Sequence, residues 1–372
     1  MALSGTDNII AALEQSNRVS HVSLSRLAGW QLEQVSAAMH VPFPELSHLE
    51  LFSDGESMPV IPDSFLGVSA PRLRHFKLDG IPFPGLPKPL LAAARLVDLH
   101  LFNIPHSGYI SPEAIVALIS VLSSLEQLSL EFRSPQSGPD RETRRPPPSE
   151  RPVIPALHYF KFKGVTEYLE DLATRIDTPQ LDDMQITFFN QIDFDTRRLA
   201  QFVNRTPKSG KRDATVQFYD HFARIGLSPG TLDIFVSCRK PDWQVSSIEQ
   251  VCNSFLHPLS IVEDLYIENK YLRVDWKNYD IENSLWLQLL LPFAAVKNLF
   301  LSRKSVPRIA AALQELVGDR ITDMLPSLQN IFVERPGPGS LRETIGQFVD
   351  ARRLSDRAIA ISVWDRPEML RF

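Results

Sequence analysis

One short pattern recurs along this chain and limits its fold more than any other feature. A large apolar residue is followed by two variable residues, an apolar residue, one variable residue and a further apolar residue. Clean copies run from Leu46 to Leu51, Leu73 to Leu78, Leu96 to Leu101, Leu125 to Leu130, Leu157 to Phe162 and Leu181 to Ile186. The pattern resumes from Val262 to Ile267, Val296 to Leu301 and Leu328 to Val333, with weaker copies at Val19–Leu24, Val216–Phe218, Leu232–Val236 and Ile359–Val363. Successive side chains of a strand point to opposite faces, so the spaced apolar residues read as one buried face and the residues between them as an open one. A strand that returns throughout a chain implies stacked units, each covering the apolar face of its neighbour.

The pattern is the LxxLxL strand of a leucine-rich repeat. Within the two runs, Leu51 to Ile186 and Ile267 to Val363, its last apolar positions follow one another at 23 to 34 residues, longer and less regular than the ~20–29 of standard repeats. The Asn or Cys expected three residues further on is replaced by Ile81, Ile104, Val165 and Phe189. The expected architecture is an α/β leucine-rich-repeat solenoid. It has a concave parallel β-sheet, helices and irregular turns on the convex side, and residues 1–372 as one domain. The competing reading is an α/β domain whose apolar strands merely alternate.

The segments between strands read as helices. Ser111-Pro112-Glu113 places Ser at the N-cap and Pro at the first helical position, ahead of Ile115, Leu118, Ile119 and Leu122. Ser340 and Glu343 have capping-box spacing before Ile345, Phe348 and Val349. Further helical stretches are expected at 8–15, 28–39, 167–176, 196–204, 247–256, 284–291 and 307–317. Length supports a repeat, because 372 residues exceed the ~250–300 at which a single core stops growing. Proline is abundant, 29 residues against 16 glycines. Pro44, Pro71, Pro155, Pro179 and Pro326 all stand just before a strand. Residues 134–155, with seven prolines and no apolar stripe, read as an exposed Pro/Arg-rich insertion loop.

The remaining global features exclude function classes. A net charge of -5 and a pI near 6.0 give no electrostatic footprint for nucleic acid or an anionic membrane. Cys238 and Cys252 are too few for a disulfide framework, and there is no CxxC pair for zinc. The N-terminus lacks a signal-peptide pattern. The greasiest run, Leu285 to Val296, is broken by Gln288 and Pro292 and too short to span a bilayer. An intracellular protein, cytoplasmic or nuclear, with no membrane segment is expected. Catalytic motifs are absent: Lys208–Arg212 lacks the glycine and hydroxyl of a phosphate loop, and Asp193 and Asp195 lack the remaining ligands of a calcium loop. No enzyme activity, cofactor or catalytic residue is expected.

Stacked repeats align equivalent positions ~4.8 Å apart, which creates two ladders. His21, His48 and His75 share one open position, followed by Asp98; a metal set and an ordinary solvated face are both open readings, and no metal site is assigned. The position between the last two apolar residues carries Phe235, Tyr266, Phe300 and Phe332 late in the chain, where earlier repeats carry polar residues. An exposed aromatic stripe is the composition of a binding anchor. With Asp264 and Glu334 beside it, and Asp233 and Glu268 further along, it would suit a basic-aliphatic protein segment. The alternative is that a C-terminal segment with Trp364 and Phe372 covers the stripe and makes it core.

Four strings carry a resemblance: TDNIIAALEQSNRV, VSAAMHVPFPELSHLEL, LVDLHLFNIPHSGYISPEAIVALISVLSSLEQLSLEF, and VTEYLEDLATRID with the later ITFFNQIDFDT. They resemble the basidiomycete fungal F-box proteins with divergent leucine-rich repeats, over nearly the whole chain from about Thr6. In that family an F-box docks on a Skp1-type adaptor of a cullin-type ubiquitin ligase, and the repeats select substrates. No LPxE-type F-box precedes the repeats here, so the chain is expected to be the repeat half alone, with no adaptor contact assigned to any residue. The resemblance implies a non-enzymatic protein-interaction scaffold like the substrate-recognition part of an SCF-type F-box receptor. The alternative is a stand-alone regulatory or structural repeat protein that recruits no ligase.

Overall fold

The computed structural model describes residues 5–55, 58–83, 90–135, 150–205, 213–228, 232–270, 281–316, 320–334, 341–355 and 357–364. Most of the Pro/Arg-rich insertion (136–149), the 208–212 stretch and Phe372 lie outside the described residues. Two compact units make up the chain. One comprises Met1–Gln185 with Gln201–Pro207, the other Ile186–Ala200 with Lys208–Phe372.

The first unit runs α1 (Gly5–Leu13), β1 (His21–Leu24), α2 (Gly29–Ala38), β2 (His48–Phe52), β3 (His75–Asp79), β4 (Asp98–Ile104), α3 (Pro112–Ile119), β5 (Gln127–Phe132), β6 (Tyr159–Gly164) and α4 (Thr166–Arg175). Next come β7 (Asp183–Phe188) and α5 (Arg197–Arg205), on which the two units divide. Strands β1 to β6 pair in chain order, each parallel to the next, and the repeat sets the register: Leu49, Phe76, Leu99, Leu128 and Phe160 form one row. Leu51, Leu78, Leu101, Leu130 and Phe162 form the next. Every residue of both rows is at most 2% exposed. The expected parallel sheet with helical return segments is therefore present in this unit.

Proline has a structural role at the strand approaches. The amide of Leu46 donates to the carbonyl of Phe43 (3.3 Å), Leu73 to Ala70 (3.1 Å), Leu181 to Thr178 (3.3 Å) and Leu328 to Leu325 (3.0 Å). Each is a four-residue turn, and Pro44, Pro71, Pro179 and Pro326 occupy its second position, where the fixed φ of proline suits the turn. A second device repeats on the strand side. The carbonyl of Ser47 accepts from the amides of Arg74 and His75, that of Arg74 from Val97 and Asp98, and that of Val97 from Glu126 and Gln127. These forked bonds lock each strand onto its predecessor before the regular ladder begins. After β3, Gly80 takes φ +69 and sits against the Ser53 carbonyl, where a Cβ would overlap it.

The start of α3 follows its sequence signal, while the side chains of the expected Ser340–Glu343 capping box lie outside the described residues. Ser111 Oγ accepts from the Ala114 amide at 3.2 Å, with Pro112 next to it. Arg175, buried at the end of α4, pairs with Asp171 (3.1 Å) and with Glu113 of α3 (2.8 Å), which fastens the two helices.

The second unit runs β8 (Asp213–Phe218), β9 (Phe222–Ser228), β10 (Leu232–Ser237), α6 (Pro241–Ser254), α7 (Leu256–Leu259), β11 (Asp264–Asn269), α8 (Asn283–Leu290), β12 (Asn298–Leu301), α9 (Val306–Gln314), α10 (Arg320–Asp323), β13 (Asn330–Glu334), α11 (Leu341–Leu354) and β14 (Ala360–Trp364). Here the strand order is β10-β9-β8-β11-β12-β13-β14. The weak repeats at 216–218 and 232–236 belong to antiparallel pairing, with β9 against both β8 and β10. Only three residues separate β8 from β9, and three separate β9 from β10. A parallel crossover needs a dozen or so, so the chain must turn back as hairpins. From β11 to β14 the parallel pattern returns. Helix α6 begins six residues before the expected Ser247, with Pro241 at its first position. Among the described residues no helix is long and apolar enough to cross a membrane.

Candidate functional site

The aromatic stripe lies on the face of β11, β12 and β13 opposite the buried rows. Leu265, Leu299 and Ile331 point into the core at 0% exposure. The next residue on each strand, Tyr266, Phe300 and Phe332, points the other way and is half-buried. Parallel in-register pairing puts these three side by side, and their rings stack. Tyr266 and Phe300 are 4.3 Å apart at 10°, and Phe300 and Phe332 are 4.6 Å apart at 9°. The Trp364 indole covers one side of the stack, 5.8 Å from Tyr266 and 5.4 Å from Phe300, and is itself 9% exposed.

Phe235 does not belong to this stack. In the β10–β9–β8–β11 order two strands separate it from Tyr266, and its register partner is Arg224. Phe235 packs on Phe222 at 5.8 Å and under the Arg224 guanidinium at 5.7 Å. The antiparallel hairpins displaced it, because equal repeat positions align only where the strands are consecutive and parallel.

Of the four carboxylates expected at the rim, two are neutralised. Asp233 pairs with Arg224 at 2.6 Å. Glu268 is buried, accepts from Gln217 Nε2 at 2.6 Å and pairs with Lys270 at 3.3 Å. The other two, Asp264 and Glu334, hold hydrogen bonds to neutral groups. Asp264 accepts from Asn298 Nδ2 (2.6 Å), whose Oδ1 accepts from Asn330 Nδ2 (2.8 Å), an amide ladder one row from the rings. Glu334 Oε2 accepts from the Arg303 amide at 3.3 Å. Burial, with the nearby carboxylates of Asp264, Asp213 and Glu268, pushes the Tyr266 phenol up to about 12.

The histidine ladder forms in the first unit. His21 stacks on His48 at 5.1 Å and His48 on His75 at 4.2 Å, and His75 Nδ1 pairs with Asp98 Oδ2. Stacked imidazoles present ring faces to one another rather than convergent lone pairs. Among the described residues no group of three or more His, Cys, Asp or Glu is arranged to hold a metal ion. Partial burial, then the His75 and His21 rings, lower the pKa of His48. The adjoining row contains a feature the repeat pattern did not reveal: Lys77 Nζ sits 4.8 Å from the Phe52 ring and 5.3 Å from that of Phe102. Phe102 also receives Lys161 Nζ at 5.6 Å, and Lys161 pairs with Glu131 at 2.8 Å. Phe52 and Phe102 stand one residue past the LxxLxL frame, so scanning the frame alone passes over them.

No protein-family model matches the chain, and a search of the curated proteins returns no match.

Proposed function

We propose that this chain is a non-enzymatic recognition scaffold of the leucine-rich-repeat type, which binds a protein through the aromatic stack Tyr266–Phe300–Phe332. The single observation that carries the reading is that stack, half-buried on an open sheet face where a strand would ordinarily present polar side chains. Aromatic residues clustered in this way are the usual anchors of protein interfaces, and Asp264 and Glu334 beside them suit a segment with basic and aliphatic side chains. The resemblance to fungal F-box proteins extends the reading to substrate selection for a ubiquitin ligase.

Affinity capture with the native chain and with Phe300→Ala tests the site. Loss of the anchor should weaken retention of a bound protein by ~2 kcal/mol, about 30-fold in affinity. Equal retention by both chains sinks the stack as the binding site. Direct titration with a purified Skp1-type adaptor tests the ligase extension separately: binding supports a receptor, and none favours a stand-alone repeat protein.

A further inference from the structure

A cleft in the second unit, away from the aromatic stack, has the chemistry of a ligand site. It opens at the carboxyl ends of β8 and β10, against the start of α6, and encloses about 480 Å³, within the ~300–1,000 Å³ of small-molecule sites. Its wall carries Arg239, Lys240 and His221, with Trp243 as its aromatic surface, and Ser237, Cys238 and, from the segment after β7, Asn190 complete it. Among the described residues no carboxylate lines it, in a chain whose net charge is -5. Trp243 is 42% exposed, unusual for an indole, and Lys240 Nζ lies 5.8 Å from its ring. Asp242 and Asp220 are near in sequence but do not line the cleft.

The walls are held in place. Gln244, fully buried one residue past the indole, donates through Nε2 to the carbonyls of Tyr219 (2.9 Å) and Cys238 (2.6 Å). The Cys238 amide donates to the His221 carbonyl at 3.0 Å. These bonds tie the β8–β9 turn, the end of β10 and the first turn of α6 into one rigid frame, as a preorganised site requires. The position is also where open α/β sheets bind ligands: outside the carboxyl ends of strands, at a change of topology. Here the change is antiparallel β9, interposed between β8 and β10.

We propose that this cleft binds a small organic anion bearing a flat ring, with the anionic group held by Arg239 and Lys240 and the ring stacked on Trp243. A guanidinium offers the paired donors that carboxylate and phosphate oxygens accept, Lys240 adds a point charge, and the exposed indole face suits a planar group. Cys238 forms part of the wall, and burial raises its thiol pKa.

The test is an indole-proton NMR titration of the full chain with phenyl phosphate, inorganic phosphate and benzyl alcohol, the Trp243 signal being assigned by its loss in Trp243→Phe. Phenyl phosphate is expected to move that signal saturably and to bind at least ~5-fold more tightly than either partial probe. The double variant Arg239→Gln/Lys240→Gln should weaken it at least ~10-fold. Both residues are exposed, and if the double variant fails to fold, the two single variants carry the test. An unmoved Trp243 signal at ~10 mM phenyl phosphate, a titration indifferent to loss of the two cations, or equal binding of benzyl alcohol would each overturn the proposal.

Discussion

Leu299 and Phe300 are neighbours on β12 that face opposite sides of the sheet, so the same substitution at each separates core from open face. Leu299 is 0% exposed. Its replacement by Gln, a side chain of similar size, loses the apolar burial of a Leu, ~1.5–3 kcal/mol. It also buries an amide with no arranged partner, a further ~1–3 kcal/mol. The total, ~2.5–6 kcal/mol, is a large part of the ~5–15 kcal/mol that holds a native domain together. Phe300 touches three rings, Tyr266, Phe332 and Trp364. Such ring pairs contribute ~0.5–1.5 kcal/mol each. Because Phe300 is half-exposed, Gln there keeps access to water, and the lower part of that range, ~1.5–3 kcal/mol in total, is the expected loss. Urea unfolding followed by far-UV circular dichroism measures both variants against the native chain. Leu299→Gln should leave little folded protein at low urea, while Phe300→Gln should only lower the midpoint. Equal losses at the two positions would mean that the rings are core, and the open-face assignment of the stack would be wrong.

Gly80→Ala should destabilise by at least ~1 kcal/mol, because the residue adopts φ +69 against the Ser53 carbonyl; thermal unfolding at unchanged or higher stability refutes the assigned turn. His48 should titrate below the ordinary histidine value of 6.5, as read from its ring-proton shift. Since its folded pKa is depressed, its stabilising contribution is present above pH ~6.5 and is lost as pH falls through the folded value. His75→Gln should move that midpoint upward by removing a like charge. The Tyr266 phenol, raised to about 12, contributes stability that is complete below pH ~10 and lost as pH rises towards 12. Absorbance titration of Tyr266→Phe should therefore lack one late-ionising phenol, and loss of a phenol titrating near 10 instead would show that the ring is solvated.

The parallel rows of the first unit were legible because a period-two burial pattern repeated at every turn leaves one register that hides all the apolar residues. His21, His48 and His75 therefore meet as their positions require, and Pro44, Pro71, Pro179 and Pro326 mark the approach to strands within the sequence itself. Local chemistry sufficed for those features: alternation, a proline-preset turn and a capped helix are each decided within a few residues. Phe235 shows where that reasoning stops. Its position in the frame matches that of Phe300, yet short hairpins on either side of β9 reverse the chain and remove it from the stack. The neutralised Asp233 and Glu268, the rings flanking Lys77, and the cleft beneath Trp243 were likewise invisible, because each joins residues from different segments. The sequence by itself determined which residues of the LxxLxL copies lie in strands and which of their faces is buried, but not β9 (Phe222–Ser228), which follows no copy of the pattern. Only the tertiary structure decided which strands are neighbours, since strand order depends on connection lengths and on pairing between segments far apart in the chain.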